Sequence, residues 1–157
     1  MIRTAAMIIH SLVFAVIGCL IFPCYLLAPE PVSHRYFSLY SRLLFRLCGV
    51  TLLVEGQERV DLSRRYLVVA NHQSFFDIPA CMAALPMDVR FFAKRELVWL
   101  PAVGLIMLLY GNVIVNRADA RGAVEALRRA KKLLAHRSLV IFPEGTRSTD
   151  GKVHSFK

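Results

Sequence analysis

The sequence predicts an α/β fold, a partly parallel sheet flanked by helices and preceded by an N-terminal membrane-associated helical segment. Three observations carry that expectation. From Thr51 onward, short runs rich in Val, Leu, Ile and Phe alternate with longer runs of helical periodicity, and such alternation builds parallel sheets with crossover helices. The stretch Asp119–Ala135 has the clearest helical pattern in the chain. The stretch from Thr4 to Pro29 holds 26 residues and no charge.

The uncharged run comes first in the chain. As a helix it would extend about 39 Å, enough to cross a hydrocarbon core of roughly 30 Å with tilt. It is too long for an ordinary signal-peptide core, and no A-x-A cleavage site follows it. Pro23 would kink it, so spanning and interfacial insertion both remain open. Residues 33–50 then read as a basic amphipathic helix. Arg35, Ser38, Arg42 and Arg46 recur at three- and four-residue spacing, and Tyr36, Phe37, Tyr40, Leu43, Leu44 and Leu47 fill most of the remaining circumference. Such a helix can lie at a head-group interface with arginines on lipid phosphates, or pack on the domain with its arginines solvated. Residues 1–50 thus form an anchoring unit and residues 51–157 a domain.

Within the domain, strands are expected at Thr51–Val54, Tyr66–Ala70, Val89–Ala93, Val113–Val115 and Ser138–Phe142. Helices are expected near Ile78–Leu85, Glu96–Tyr110 and Asp119–Ala135. In the last of these, Ala120, Ala123, Val124, Leu127, Ala130 and Leu134 share one face. Asp119 can cap its start, and cations gather at its end, where the helix dipole favours them.

Composition bounds the function. The chain has 157 residues, 56% of them hydrophobic, against roughly 45–50% in soluble domains. Its net charge is +9, spread as +3 over residues 1–50, zero over 51–110 and +6 over 111–157. A basic excess calls for anionic partners, and the apolar N-terminus points to a membrane surface. Nucleic acid is disfavoured, because no aromatic–basic interleaving lies on a polar face. Four cysteines without a CxxC exclude a disulfide scaffold or a zinc ribbon. Reduced thiols and the basic domain together suggest a cytoplasmic face of the inner or plasma membrane.

Three loops could carry chemistry. Asn71–Asp77 directly follows an expected strand, the usual place for ligands in such sheets. His72 and Asp77 are five apart, so they meet only if the chain turns between them; Pro79, tolerated in a first helical turn, puts a helix start near Asp77. An aspartate on one imidazole nitrogen would leave the other as a base. Asp77 as a plain helix cap and His72 as a plain loop histidine fit the same spacing. Ser74 lacks a nucleophile-elbow sequence, and no further His or Cys nearby suggests a metal. Phe142–Ser148 follows another strand. There Gly145 permits a tight turn whose neighbouring amides can converge on an anion, and Arg147 can grip phosphate. The third loop, Gly111–Arg117, ends a short strand on Arg117.

In order, these segments resemble the glycerolipid acyltransferases, specifically the 1-acylglycerol-3-phosphate acyltransferases. NHQSFFD (71–77) fits the N-H-x-x-x-x-D block. KRELVWLPAVG (94–104) is similar to K-x-E-L-x-x-x-P-x-x-G, GNVIVNR (111–117) to the arginine-ended block, and FPEGTRS (142–148) to the phosphate-site block. The resemblance implies transfer of a fatty acyl group from acyl-CoA or acyl carrier protein to the sn-2 hydroxyl of lysophosphatidic acid. It implies His72 as general base, Asp77 as its orienting partner, and Arg117, Glu144, Gly145, Thr146 and Arg147 as residues holding the acceptor phosphate. No metal or cofactor is implied beyond the donor thioester. Another lysolipid or glycerol-3-phosphate as acceptor, or a non-catalytic membrane-bound anion-binding relative, are the alternatives. Members of the family continue through further strands, so the resemblance also implies a domain C-terminally incomplete at Lys157.

Overall fold

The structure, a computed structural model, describes residues 30–100, 103–116 and 120–156. The expected membrane helix at 4–29, with His10, Cys19 and Cys24, lies outside the described residues, as do Arg117 and Asp119.

Four strands form one sheet: β1 (Leu67–Val69), β2 (Val89–Lys94), β3 (Val113–Val115) and β4 (Ser138–Ile141). Their order is β1-β4-β2-β3, and every pairing is parallel. Among the described residues four helices accompany them: α1 (Glu30–Leu47), α2 (Asp77–Ala84), α3 (Val103–Leu109) and α4 (Ala120–Leu134). The last strand in sequence inserts between β1 and β2, with Val68 opposite Val140 and Phe91 opposite Val140 on its other side. That insertion brings the loop after β4 beside the loop after β1.

Strand side chains alternate between faces, and the two hydrophobic clusters follow that alternation. Phe91 and Val140 join Met82 of α2, Val89, Tyr110 and Phe142 on one face, with Phe37 of α1 packed against them. Phe92 and Leu139 join Val113, Ala126 and Ala130 on the other, under α4. On that second face α4 does not reach the edge strand, and Leu67 and Val69 stay exposed.

Four expectations are corrected. Thr51–Val54 is not a strand; it pairs with nothing in the sheet, and Leu53 is exposed. A short apolar run without a neighbouring strand has no ladder to join. Glu96–Tyr110 is not one helix. A 3₁₀ turn over Arg95–Trp99 ends at Leu100, which is extended (φ −75°, ψ 126°), and α3 starts at Val103. Leu100 precedes Pro101, and proline excludes the α conformation from the residue before it. Gly104 lets α3 close on that turn, since a Cβ there would sit 1.9 Å from the Val98 carbonyl oxygen.

The third correction concerns α4, whose buried side chains are Ala126 and Ala130, with Leu133 and Leu134 packed beside them. Val124 and Leu127 face solvent. The small alanines let the helix sit close to β3 and β4. The fourth concerns α1, which runs three residues earlier than expected at each end. It stops at Leu47, where the Val50 N–H returns to the Phe45 carbonyl, the six-to-one bond that terminates many helices. Its apolar residues divide between two sides. Phe37, Ser41 and Phe45 face inward, and Arg42 Nη2 donates to the Ala83 carbonyl of α2 at 2.7 Å. Tyr36, Leu39, Leu43 and Leu47 face outward beside exposed Arg35 and Arg46. Among the described residues no helix is long and apolar enough to cross a membrane.

The end of the sheet opposite the β1 and β4 loops is held by ions. Asp88 Oδ1 accepts from Arg90 Nη1 at 2.5 Å and from the Tyr110 hydroxyl at 3.0 Å, while Oδ2 accepts from Arg137 Nη1 at 2.9 Å. Arg90 is only 4% exposed and also lies over the Tyr110 ring.

Candidate active site

The site is built from two adjacent loops at the carboxyl ends of β1 and β4. Their parallel register runs on through the Ala70 N–H to the Ile141 carbonyl, and the loops begin immediately after it.

The first loop is shaped by Asp77. Its Oδ2 accepts the backbone N–H groups of Gln73 and Ser74, at 2.7 and 2.9 Å, and lies 2.7 Å from His72 Nδ1. A single carboxylate thus folds the chain back from the helix start onto the histidine. The Ser74 hydroxyl accepts the Phe76 N–H at 3.2 Å, which gives it a turn-forming part. A carboxylate only accepts, so the contact matches the tautomer with its proton on Nδ1, in which Nε2 keeps its lone pair. The imidazole is also held on its face: it stacks on Phe142 with centroids 4.4 Å apart and planes 18° apart. The His72 side chain remains about a fifth exposed, so a small reactant group can reach it.

The second loop starts with a tight turn, in which the Gly145 N–H donates to the Phe142 carbonyl at 3.0 Å. Gly145 has φ +67°, a conformation that a side chain disfavours. Glu144, within this turn, is fully buried. Its Oε1 accepts the His72 backbone N–H at 2.9 Å and its Oε2 accepts the His154 N–H at 3.1 Å. Those two N–H groups hold the Glu144 carboxyl below the usual carboxylate range, with His154 and His72 adding to the effect. The Ser148 N–H closes the junction by donating to the His72 carbonyl at 2.8 Å. His72 is therefore gripped at its amide, its carbonyl, its Nδ1 and its ring face.

The site residues expected from sequence divide accordingly. The structure brings His72, Asp77, Glu144, Gly145, Thr146 and Arg147 into one loop cluster. Glu144 was expected among the acceptor-holding residues, and its carboxylate is instead engaged by backbone amides inside the protein. Thr146 and Arg147 are exposed, and the Arg147 guanidinium lies over the Phe75 ring, 3.4 Å from its centroid. Sequence reasoning missed Phe142 and Phe75. Phe142 had a signal, since the residue directly after a strand and opening a turn sits where the neighbouring strand's loop begins. Phe75 had none, because an aromatic at a loop tip has no periodicity to betray it. Among the described residues no group of three or more His, Cys, Asp or Glu is placed to hold a metal.

A family model described as Acyltransferase matches residues 51–157. A 1-acyl-sn-glycerol-3-phosphate acyltransferase of Cocos nucifera is 29% identical over 99% of this chain and 52% of its own length. The 1-acyl-sn-glycerol-3-phosphate acyltransferase alpha of Homo sapiens is 34% identical over 78% of this chain and 43% of its own. The crystal structure of the 1-acyl-sn-glycerophosphate acyltransferase PlsC of Thermotoga maritima is similar with a TM-score of 0.73 and 32% identity, covering 96% of this chain and 65% of that one. This chain spans about half the length of the coconut relative and less of the human one.

Proposed function

This chain belongs to the Acyltransferase family, and on that premise we propose that it transfers a fatty acyl group to the sn-2 hydroxyl of lysophosphatidic acid, giving phosphatidic acid. The donor is a thioester, acyl-CoA or acyl carrier protein. The observation that carries the reading is the 2.7 Å contact of His72 Nδ1 with Asp77 Oδ2, beside a loop bearing Arg147. The relatives' names supply the substrate class, and the site supplies groups suited to it.

In the proposed reaction His72 Nε2 takes the proton of the acceptor hydroxyl as its oxygen attacks the thioester carbonyl. Asp77 stabilises the imidazolium that forms, and the proton passes to the departing thiolate as the carbon–sulfur bond breaks. A positioned general base contributes about 10²–10⁴ in rate. A thiolate leaves readily, so the mechanism uses no covalent acyl-enzyme. Arg147, with Thr146, the Gly145 turn and Arg117, holds the phosphate and so brings the hydroxyl to Nε2, a positioning effect that can exceed the base itself. Glu144 acts beneath this surface: it fixes the His72 backbone and does not meet the phosphate, whose charge it would repel.

Acceptor, acyl chain and product are all membrane lipids, and we assign the membrane contact to the outward stripe of α1. Tyr36, Leu39, Leu43 and Leu47, flanked by Arg35 and Arg46, suit burial among acyl chains and head-group phosphates. The basic excess of the domain suits the cytoplasmic leaflet. Acyl transfer with a labelled donor, lysophosphatidic acid and the Asp77→Asn and His72→Ala variants tests the catalytic reading. Flotation of a Leu39→Asp/Leu43→Asp double variant with anionic vesicles tests the membrane one.

A further inference from the structure

We infer that Phe75 is a positioning residue for the acceptor phosphate, its ring holding the Arg147 guanidinium in the orientation that receives the anion. The inference rests on the reading of Arg147 as a phosphate ligand. Two adjacent phenylalanines in the first loop have opposite fates. Phe76 packs against Phe45 of α1, with centroids 5.6 Å apart. Phe75 is 78% exposed and contributes little to any core, yet it carries a guanidinium at 3.4 Å from its centroid. That is well inside the roughly 6 Å reach of a cation–π contact.

Both partners stand on fixed backbone. On the Phe75 side, the Gln73 and Ser74 amides are tied to Asp77, and the Phe76 amide to the Ser74 hydroxyl. On the Arg147 side, the Gly145 amide closes a turn and the Ser148 amide is tied to the His72 carbonyl. Among the described residues, Arg147 is paired with no carboxylate. A guanidinium centred 3.4 Å from a ring centroid keeps N–H donors for an anion when its flat face meets the ring. Phosphate oxygens accept from those donors in a bidentate fork. An exposed arginine otherwise samples many rotamers and must be ordered when the anion binds. The stack orders it beforehand, on the same loop that carries His72, so phosphate binding and hydroxyl placement share one support.

The test titrates the full chain in detergent with lysophosphatidic acid, reading both KM and a direct binding constant. Phe75→Ala is expected to weaken both by roughly 2–5-fold, the scale of an exposed cation–π contact, with kcat little changed. Phe75→Trp is expected to restore parental values, and Phe75→Leu, equally apolar but without a π face, to behave as Phe75→Ala. In an Arg147→Ala background the Phe75 substitution is expected to add nothing. Parental binding by Phe75→Leu, or an undiminished loss in the Arg147→Ala background, overturns the inference while leaving Arg147 as a phosphate ligand. Unchanged binding in Arg147→Ala itself overturns the phosphate reading, and the inference with it.

Discussion

The buried carboxylate of Glu144 accepts the backbone N–H of His72 at 2.9 Å, across 72 residues of sequence. Its second oxygen takes the His154 N–H, so one side chain ties together the three segments that meet at the site. Parallel pairing of β1 with β4 makes that span possible, because it sets the two loops side by side.

Glu144→Gln separates a structural brace from a phosphate ligand. The amide keeps the shape but offers one acceptor oxygen where two backbone donors need partners. We expect kcat to fall by about 10²-fold, the scale of a misplaced catalytic group, with KM for the acceptor nearly unchanged. The pH dependence has a defined sign. The folded carboxyl is held below its ordinary value of 4.5, so its stabilisation is complete above that value and is lost as pH falls through the lowered one. The thermal midpoint of the parent should exceed that of Glu144→Gln at pH 7, with the gap shrinking below pH 4.5.

Asp77→Asn changes one atom of the pair with His72. The amide can present its N–H₂ to Nδ1 and so favour the tautomer whose Nε2 carries the proton, which cannot act as a base. We expect kcat to drop by roughly 10²–10⁴-fold. Circular dichroism should still report a folded chain, with a lower melting temperature because the Gln73 and Ser74 amides lose a charged acceptor.

Asp88→Ala acts at the far end of the sheet. It leaves the Arg90 guanidinium buried without its carboxylate and removes partners from Tyr110 and Arg137. Breaking a buried pair on one side costs about 3–5 kcal/mol, which urea unfolding would read. The acceptor KM of the folded fraction should stay at the parental value, since the Asp88 ion cluster lies at the end of the sheet opposite the His72 loop.

Cys81 supplies a chemical check on packing. Burial, with Asp77 nearby, pushes its thiol up to about 11, so at pH 8 about one molecule in a thousand is thiolate. In a chain whose Cys19, Cys24 and Cys48 are serine, iodoacetamide should label half-buried Cys81 far more slowly in the folded state than after unfolding. Cys48 restored alone should label in the folded state, because it is exposed.

Much of this architecture was legible in particular residues. The strand Val113–Val115 and the helices at Asp77 and Ala120 announce themselves through β-branched runs, Pro79 and a 3.6-residue period. The His72–Asp77 pair was legible as a possibility, because Pro79 locates the helix start that lets them meet. What stayed hidden depended on contacts distant in sequence. The burial of Glu144 and the stacking of Phe142 under His72 follow from the insertion of β4 between β1 and β2, and the exposure of Val124 and Leu127 from α4 packing through Ala126 and Ala130. No local pattern encodes that insertion. Thr51–Val54 failed for the complementary reason, since a strand needs a neighbour and its own residues cannot supply one.

The measurement that bears most directly on the central claim is acyl transfer to lysophosphatidic acid by the parent chain and by His72→Ala, in the same detergent with the same labelled thioester. We predict phosphatidic acid from the parent, with product formation slower by about 10²–10⁴-fold in the variant and lysophosphatidic acid binding retained. Equal rates from the two folded proteins would contradict the account.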